Sequence, residues 1–199
     1  MEYTADLETL FKQEAEKAES MGIMHCFSFQ KYSKLSILTN VPVIILSTLI
    51  GFLSTLDLFP SQNILLGALS LSVSVIKTID SYFDLTKLSE AHRITGLAYN
   101  KVFKLIQIQL SIERKHRIAP DDLMSVITHD LQNLKDSEPV IGDDVIAHYN
   151  KRYAQEVTTK PSIANGLSTI KVIEPKILVS TACTGTDAKE SRVRVHLEV

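Results

Sequence analysis

Residues 35–56 read LSILTNVPVIILSTLIGFLSTL, and residues 58–76 read LFPSQNILLGALSLSVSVI. Neither run holds an ionisable side chain, and Asp57 alone separates them. Crossing a hydrocarbon core of about 30 Å as a helix takes about 20 mainly apolar residues. Both runs meet that length. Phe59 and Pro60 mark a short turn, with Pro60 suited to the first positions of the second helix. The reading is a two-span transmembrane hairpin, with spans of about 35–56 and 58–77.

A buried hairpin inside a soluble protein is the competing reading. It fails on supply: too little chain remains to cover two wholly apolar helices. A signal peptide is excluded by Glu2, Asp6, Glu8, Glu14, Glu16 and Glu19 in the preceding segment. The turn has no Lys or Arg, whereas Lys31 and Lys34 precede the hairpin and Lys77, Lys87 and Arg93 follow it. The positive-inside rule then places both termini on the cytoplasmic side. Lys31, Tyr32, Lys34, Lys77, Tyr82, Phe83 and Arg93 are expected at the inner interface.

Outside these runs the composition is ordinary. The 199 residues carry 21 basic and 23 acidic side chains, a net charge of -2, which excludes a dedicated nucleic-acid binder. Two cysteines exclude a disulfide scaffold or a thiolate zinc cluster. The six histidines show no metal-ligand spacing, and no phosphate loop, dinucleotide fingerprint or nucleophile elbow occurs. No enzyme, cofactor or metal is expected.

The helices are predicted to run on beyond the membrane. Leu7, Leu10, Phe11, Ala18, Met21, His25, Phe29 and Tyr32 recur at helical spacing, giving an amphipathic helix over residues 1–34 with Asp6 as its N-cap. Gly22 weakens this helix, and Pro42 is expected to kink it. After Lys77, a stripe of Ile94, Ala98, Val102, Leu105 and Ile112 predicts a second stalk ending near Arg117. Pro120 to Lys135 and the segment after Gly142 read as two short accessory helices within a cytoplasmic helical region, 78–157. Residues 158–199 read as an irregular, β-prone tail that binds another protein. The expected fold is all-α, with that tail as its exception.

Each span also carries a polar, small-residue stripe. Ser36, Asn40, Ser47, Gly51 and Ser54 fall within about 60° on the first helix. Asn63, Gly67, Ser70 and Ser74 form a comparable sector on the second, with Lys77 at its end. Such faces pack the hairpin, join subunits of a homo-oligomer, or line a polar path through several hairpins. Mid-membrane charge is absent, which excludes a proton relay.

Several residues together carry a resemblance. Gln30-Lys31-Tyr32 before the first span, Glu90-Ala91-His92-Arg93 followed by Tyr99, and Glu138-Pro139-Val140-Ile141 are similar to the SLATT family. Its members are two-transmembrane proteins found beside nucleotide-synthesising and nucleotide-sensing proteins in bacterial conflict systems, with relatives in large DNA viruses. The likeness covers about residues 5–150. It implies a membrane effector that forms pores or perturbs the bilayer when a sensor partner detects invasion. This chain carries no recognisable sensor domain. It therefore also fits a structural anchor, a minor capsid protein whose stalk and tail bind a protein shell while the hairpin sits in a membrane.

Overall fold

Thr4 opens the first helix: its Oγ1 accepts the Leu7 amide at 3.2 Å, the bond an N-cap makes to the third helical residue. Asp6, expected in that role, lies in the first turn instead, where its charge complements the helix dipole. The protein was analysed as a computed structural model that describes residues 2–56 and 60–166. The turn at Asp57 and Phe59 and the expected β-prone stretch beyond Gly166 lie outside the described residues.

Helix α1 runs unbroken from Ala5 to Leu53, 49 residues or about 73 Å at 1.5 Å per residue. It continues through Pro42. Helix α2 spans Gln62–Phe83 and α3 spans Leu85–Ser111. The sequence predicted one continuous second helix; the break between them is Asp84, in the left-handed region at φ 45° and ψ 47°. That conformation is rare outside glycine, with aspartate among the residues that tolerate it. A 3₁₀ turn at Arg114–His116 leads to α4 (Pro120–Ser137), α5 (Asp143–Arg152) and a short α6 (Ser162–Asn165). Among the described residues every regular element is helical.

Two regions differ in what they bury. In the stalk, α1 packs along α3, with α4 and α5 closing over them. Phe11, Ala15, Ala18, Met21 and Met24 meet Tyr99, Val102, Ile106, Leu123, Ile127, Ile141, Val145 and Tyr149 in one core. The α3 seam meets the predicted apolar stripe at Val102, with Leu105 half-buried against the core, and departs from it at Ile94. Ser89, His92, Thr95, Gly96, Tyr99, Val102 and Ile106 are buried, while Ile94 is 56% exposed. Gly22 and Gly96 explain the close crossing. A Cβ added at Gly96 would stand 3.3 Å from the Gly22 carbonyl oxygen and 3.3 Å from His25 Cβ. The stalk's far end is tied by Glu8, which accepts from Arg114 at 2.7 and 2.9 Å and from Arg117 at 2.5 Å. Arg117 also donates to the Leu110 and Ile112 carbonyls at the end of α3. The basic run Arg114-Lys115-His116-Arg117 is therefore partly paired within the chain.

Residues 158–166, assigned by sequence to an irregular tail, fold back onto the stalk. The Thr159 amide donates to Glu16 at 2.8 Å and Asn150 donates to the Ala164 carbonyl at 3.0 Å.

Candidate functional site

Where α1 and α2 run together, a narrow seam is withdrawn from the surface. On α1 it is Val43, Leu46, Ile50 and Leu53; on α2 it is Leu66, Leu69, Val73 and Ile76. Both sets step by three, four and three residues, the spacing of a coiled-coil seam. Every other described residue from 41 to 56 and from 63 to 75 is exposed. The contact is thus aliphatic, and the polar stripes take no part in it over most of its length. Gln62 closes the far end, its side-chain amide donating to the Leu53 carbonyl at 2.5 Å and also to the Leu56 carbonyl.

Ser47, Gly51, Ser54, Asn63, Gly67, Ser70 and Ser74 are all exposed. Each stands one residue beyond a seam position or, for Asn63, beyond Gln62. In an antiparallel pair, positions that follow the seam on both helices flank the same side. Asn40 and Lys77 occupy such positions and touch, Nζ to Oδ1 at 2.5 Å, so the geometry follows that rule. The two stripes consequently form one face of the helix pair, interrupted by Ile44. The opposite face holds Ile45, Leu49, Phe52, Leu65 and Val75. A Cβ at Gly51 or Gly67 would meet nothing within 4 Å. Among the described residues, none covers this face.

At its stalk end the face closes into a polar knot. Lys77 bridges Asn40 and Asp80, the latter at 2.9 Å, and Ser36 Oγ meets Thr86 Oγ1 at 2.9 Å. Ser36 and Asn40 are therefore the two stripe residues that do join helices within the chain.

The expected interface residues divide. Tyr82 and Phe83 are exposed, edge to face with ring centroids 5.2 Å apart. Lys34 is exposed as well. Lys31 pairs with Asp144 at 2.8 Å, which raises the lysine and lowers the aspartate from their ordinary pKa values. Arg93 grips Glu90 through two bonds, at 2.6 and 2.8 Å. Tyr32 departs from expectation. It is half-buried and stacked on His92, centroids 5.4 Å apart with planes 10° from parallel, so it serves the stalk rather than a lipid interface.

That stacking belongs to a second feature, which periodicity does not show. His25 on α1 and His92 on α3 are fully buried and meet Nδ1 to Nδ1 at 2.9 Å. Tyr99 stacks on His25 at 5.7 Å and donates from its hydroxyl to Glu138 Oε2 at 2.6 Å. The same carboxylate oxygen lies 3.5 Å from His25 Nε2. Burial pushes the Glu138 pKa up, but the nearby His25 ring and the hydrogen bond from Tyr99 outweigh it and hold the group below its usual range. Burial, and then proximity to His25, lower His92 to about 4. Tyr99 is raised, first by burial and then by its bond to Glu138. Tyr32, His92, Tyr99 and Glu138, residues on which the family resemblance rests, thus lie in one cluster. The sequence hinted at it only through His25 on an otherwise apolar stripe.

Helix α1 (Ala5–Leu53) and the α2–α3 run (Gln62–Ser111) each contain a stretch long and apolar enough to cross a membrane, and only 6% of each stretch is buried. Helices of this length and polarity inside a soluble protein would be covered. Among the described residues no group of His, Cys, Asp and Glu is arranged to hold a metal. No protein-family model, curated protein or solved structure matches the chain.

Proposed function

We propose that this chain is a non-enzymatic integral membrane protein that crosses the bilayer as an α1–α2 hairpin and self-associates through the face built from Ser47, Gly51, Ser54, Asn63, Gly67, Ser70 and Ser74. The observation that carries the reading is the division of the hairpin's surface. Its seam is already filled by aliphatic side chains, and Ser47, Gly51, Ser54, Asn63, Gly67, Ser70 and Ser74 share one uncovered side, with Ser72 the exposed serine on the other. Lipid gains little from that side. Ser54 and Ser74 already donate to carbonyls of their own helices, at 2.8 and 3.0 Å, and glycines offer close backbone approach only to another helix. A second hairpin takes up that close approach. Ile45, Leu49, Phe52, Leu65 and Val75 then face lipid.

Both termini lie on the cytoplasmic side in this reading, with the stalk outside the bilayer. The resemblance to the SLATT family adds a role for the assembly in perturbing the bilayer on a partner's signal, received through the stalk or the tail. Planar-bilayer conductance separates that role from a purely structural anchor, which gives no channels.

Disulfide trapping tests the interface. In a background with Cys26→Ser and Cys183→Ser, single cysteines at Ser47 and Ser70 should cross-link copies of the chain under mild oxidation. Cysteines at Leu49 and Val75, on the opposite face, should not. Cross-linking confined to the Leu49 and Val75 positions would refute the assigned interface.

A further inference from the structure

The His25–His92 contact has a property that follows from its atoms alone. Two Nδ1 atoms at 2.9 Å require one to donate and the other to accept. Glu138 favours a proton on His25 Nε2. With His25 neutral, its bare Nδ1 accepts from His92. With His25 protonated on both nitrogens, it donates to a bare His92 Nδ1. Either state keeps the contact. A further proton places N–H against N–H, with two cations in van der Waals contact, and the arrangement cannot persist.

The surroundings give no relief. His25 and His92 are 0% exposed, and the Nε2 atoms of both rings and the Oγ of buried Ser28 have no hydrogen-bond partner among the described residues. From α1 the pair faces Tyr32; from α3 it faces Tyr99; from the segment after α4 it faces Glu138, with Lys135 acting on that carboxylate. Glu138 is the one anion among these groups, and it sits on the His25 side. Stacking on Tyr32 favours a cation on His92, but it supplies no counterion for the buried charge.

We propose that the His25–His92 pair is a proton-operated latch between α1 and α3, closed while the pair carries at most one extra proton and opened when both rings are charged. Because α1 is one helix from Ala5 to Leu53, parting the rings also moves the helix that enters the apolar pair. Gly22 and Gly96 sit beside the latch, so the two backbones are held closest where the rings meet. Once the rings are apart, His92 returns to the ordinary histidine value, 6.5, whereas in the closed stalk it is held to about 4. Opening is thus driven as pH falls through that interval. The latch acts within one stalk, whatever the assembly of the hairpins.

The test is pulsed electron paramagnetic resonance on the full chain in detergent micelles or nanodiscs. Spin labels replace Gln30 and Leu97, exposed positions on the outer sides of α1 and α3, with Cys26→Ser and Cys183→Ser. One short distance is expected at about pH 7.5. A longer one should grow at least about fivefold by about pH 4.5 and revert on neutralisation. His92→Phe, which keeps the ring stacked on Tyr32, and His92→Asn should each abolish the response. A distance distribution indifferent to pH in the unmutated stalk would overturn the latch. So would the same acid response in either His92 variant, which would assign it to Glu138 or another carboxylate.

Discussion

Asn40 and Lys77 touch across the two apolar helices, 37 residues apart in sequence, with Nζ 2.5 Å from Oδ1. This contact fixes which sides of α1 and α2 coincide, and so turns two separate polar stripes into one face. The first prediction follows. Gly51→Leu and Gly67→Leu fill open space, so the single chain should keep its helical content and thermal stability to within about 0.5 kcal/mol. Assembly, read as disulfide trapping at Ser70, should fall strongly. Unchanged trapping in the double variant would place the contact elsewhere.

The stalk glycines should behave in the opposite way. A side chain at Gly22 or Gly96 meets atoms of the facing helix at 3.1–3.4 Å. Gly96→Leu should separate α1 from α3 and cost about 1–3 kcal/mol or more, the usual range for overpacking a filled core. Thermal unfolding followed by circular dichroism measures it. A Gly96→Leu chain as stable as the wild type would show that the helices do not cross so closely.

Topology is tested by labelling intact cells from outside. A cysteine at Ser61, beyond the apolar part of α1, should react with a membrane-impermeant maleimide, whereas one at Glu2 should not. Reaction at Glu2 would invert the orientation argued from Lys31, Lys34, Lys77 and Arg93.

Glu8 gives a pH prediction with a defined sign. Its bonds to Arg114 and Arg117 hold its pKa at about 2 in the folded chain, below the ordinary 4.5. A lowered carboxylate contributes stability above its unfolded value and loses it as pH falls towards the folded value. Amide exchange in the first turns of α1 should therefore accelerate, beyond its intrinsic pH dependence, between about pH 4.5 and about pH 2. Glu8→Gln should exchange faster already at neutral pH and lack that extra acid dependence. Identical curves for the two chains would remove Glu8 from the tether.

The apolar runs, α1 with its stripe through Phe11, Ala18, Met21 and His25, and the starts of α4 and α5 were legible because each is a local pattern. The α3 seam was not. Its buried positions include Ser89, His92, Thr95 and Gly96, which a search for apolar periodicity scores as surface. The Asp84 break carries no glycine or proline to announce it. The Gly22–Gly96 crossing and the His25–His92 contact join residues 74 and 67 apart, and spacing along one helix cannot reveal them. The stripes in the spans were visible residue by residue. That they share a side, and that Ser36 and Asn40 are the stripe residues that join helices within the chain, depends on how α1 meets its neighbours. Tyr32 illustrates the converse: a tyrosine before an apolar run suits an interface, yet His92 lies near enough to claim its ring.

The central claim is that hairpins join through their small, polar face. Native mass spectrometry of the full chain released from mild detergent tests it most directly. One defined homo-oligomer is expected, dispersed to monomer by Gly51→Leu with Gly67→Leu and retained by Leu49→Ala with Val75→Ala. A monomer in every detergent, or a chain soluble and monomeric without detergent, would contradict it.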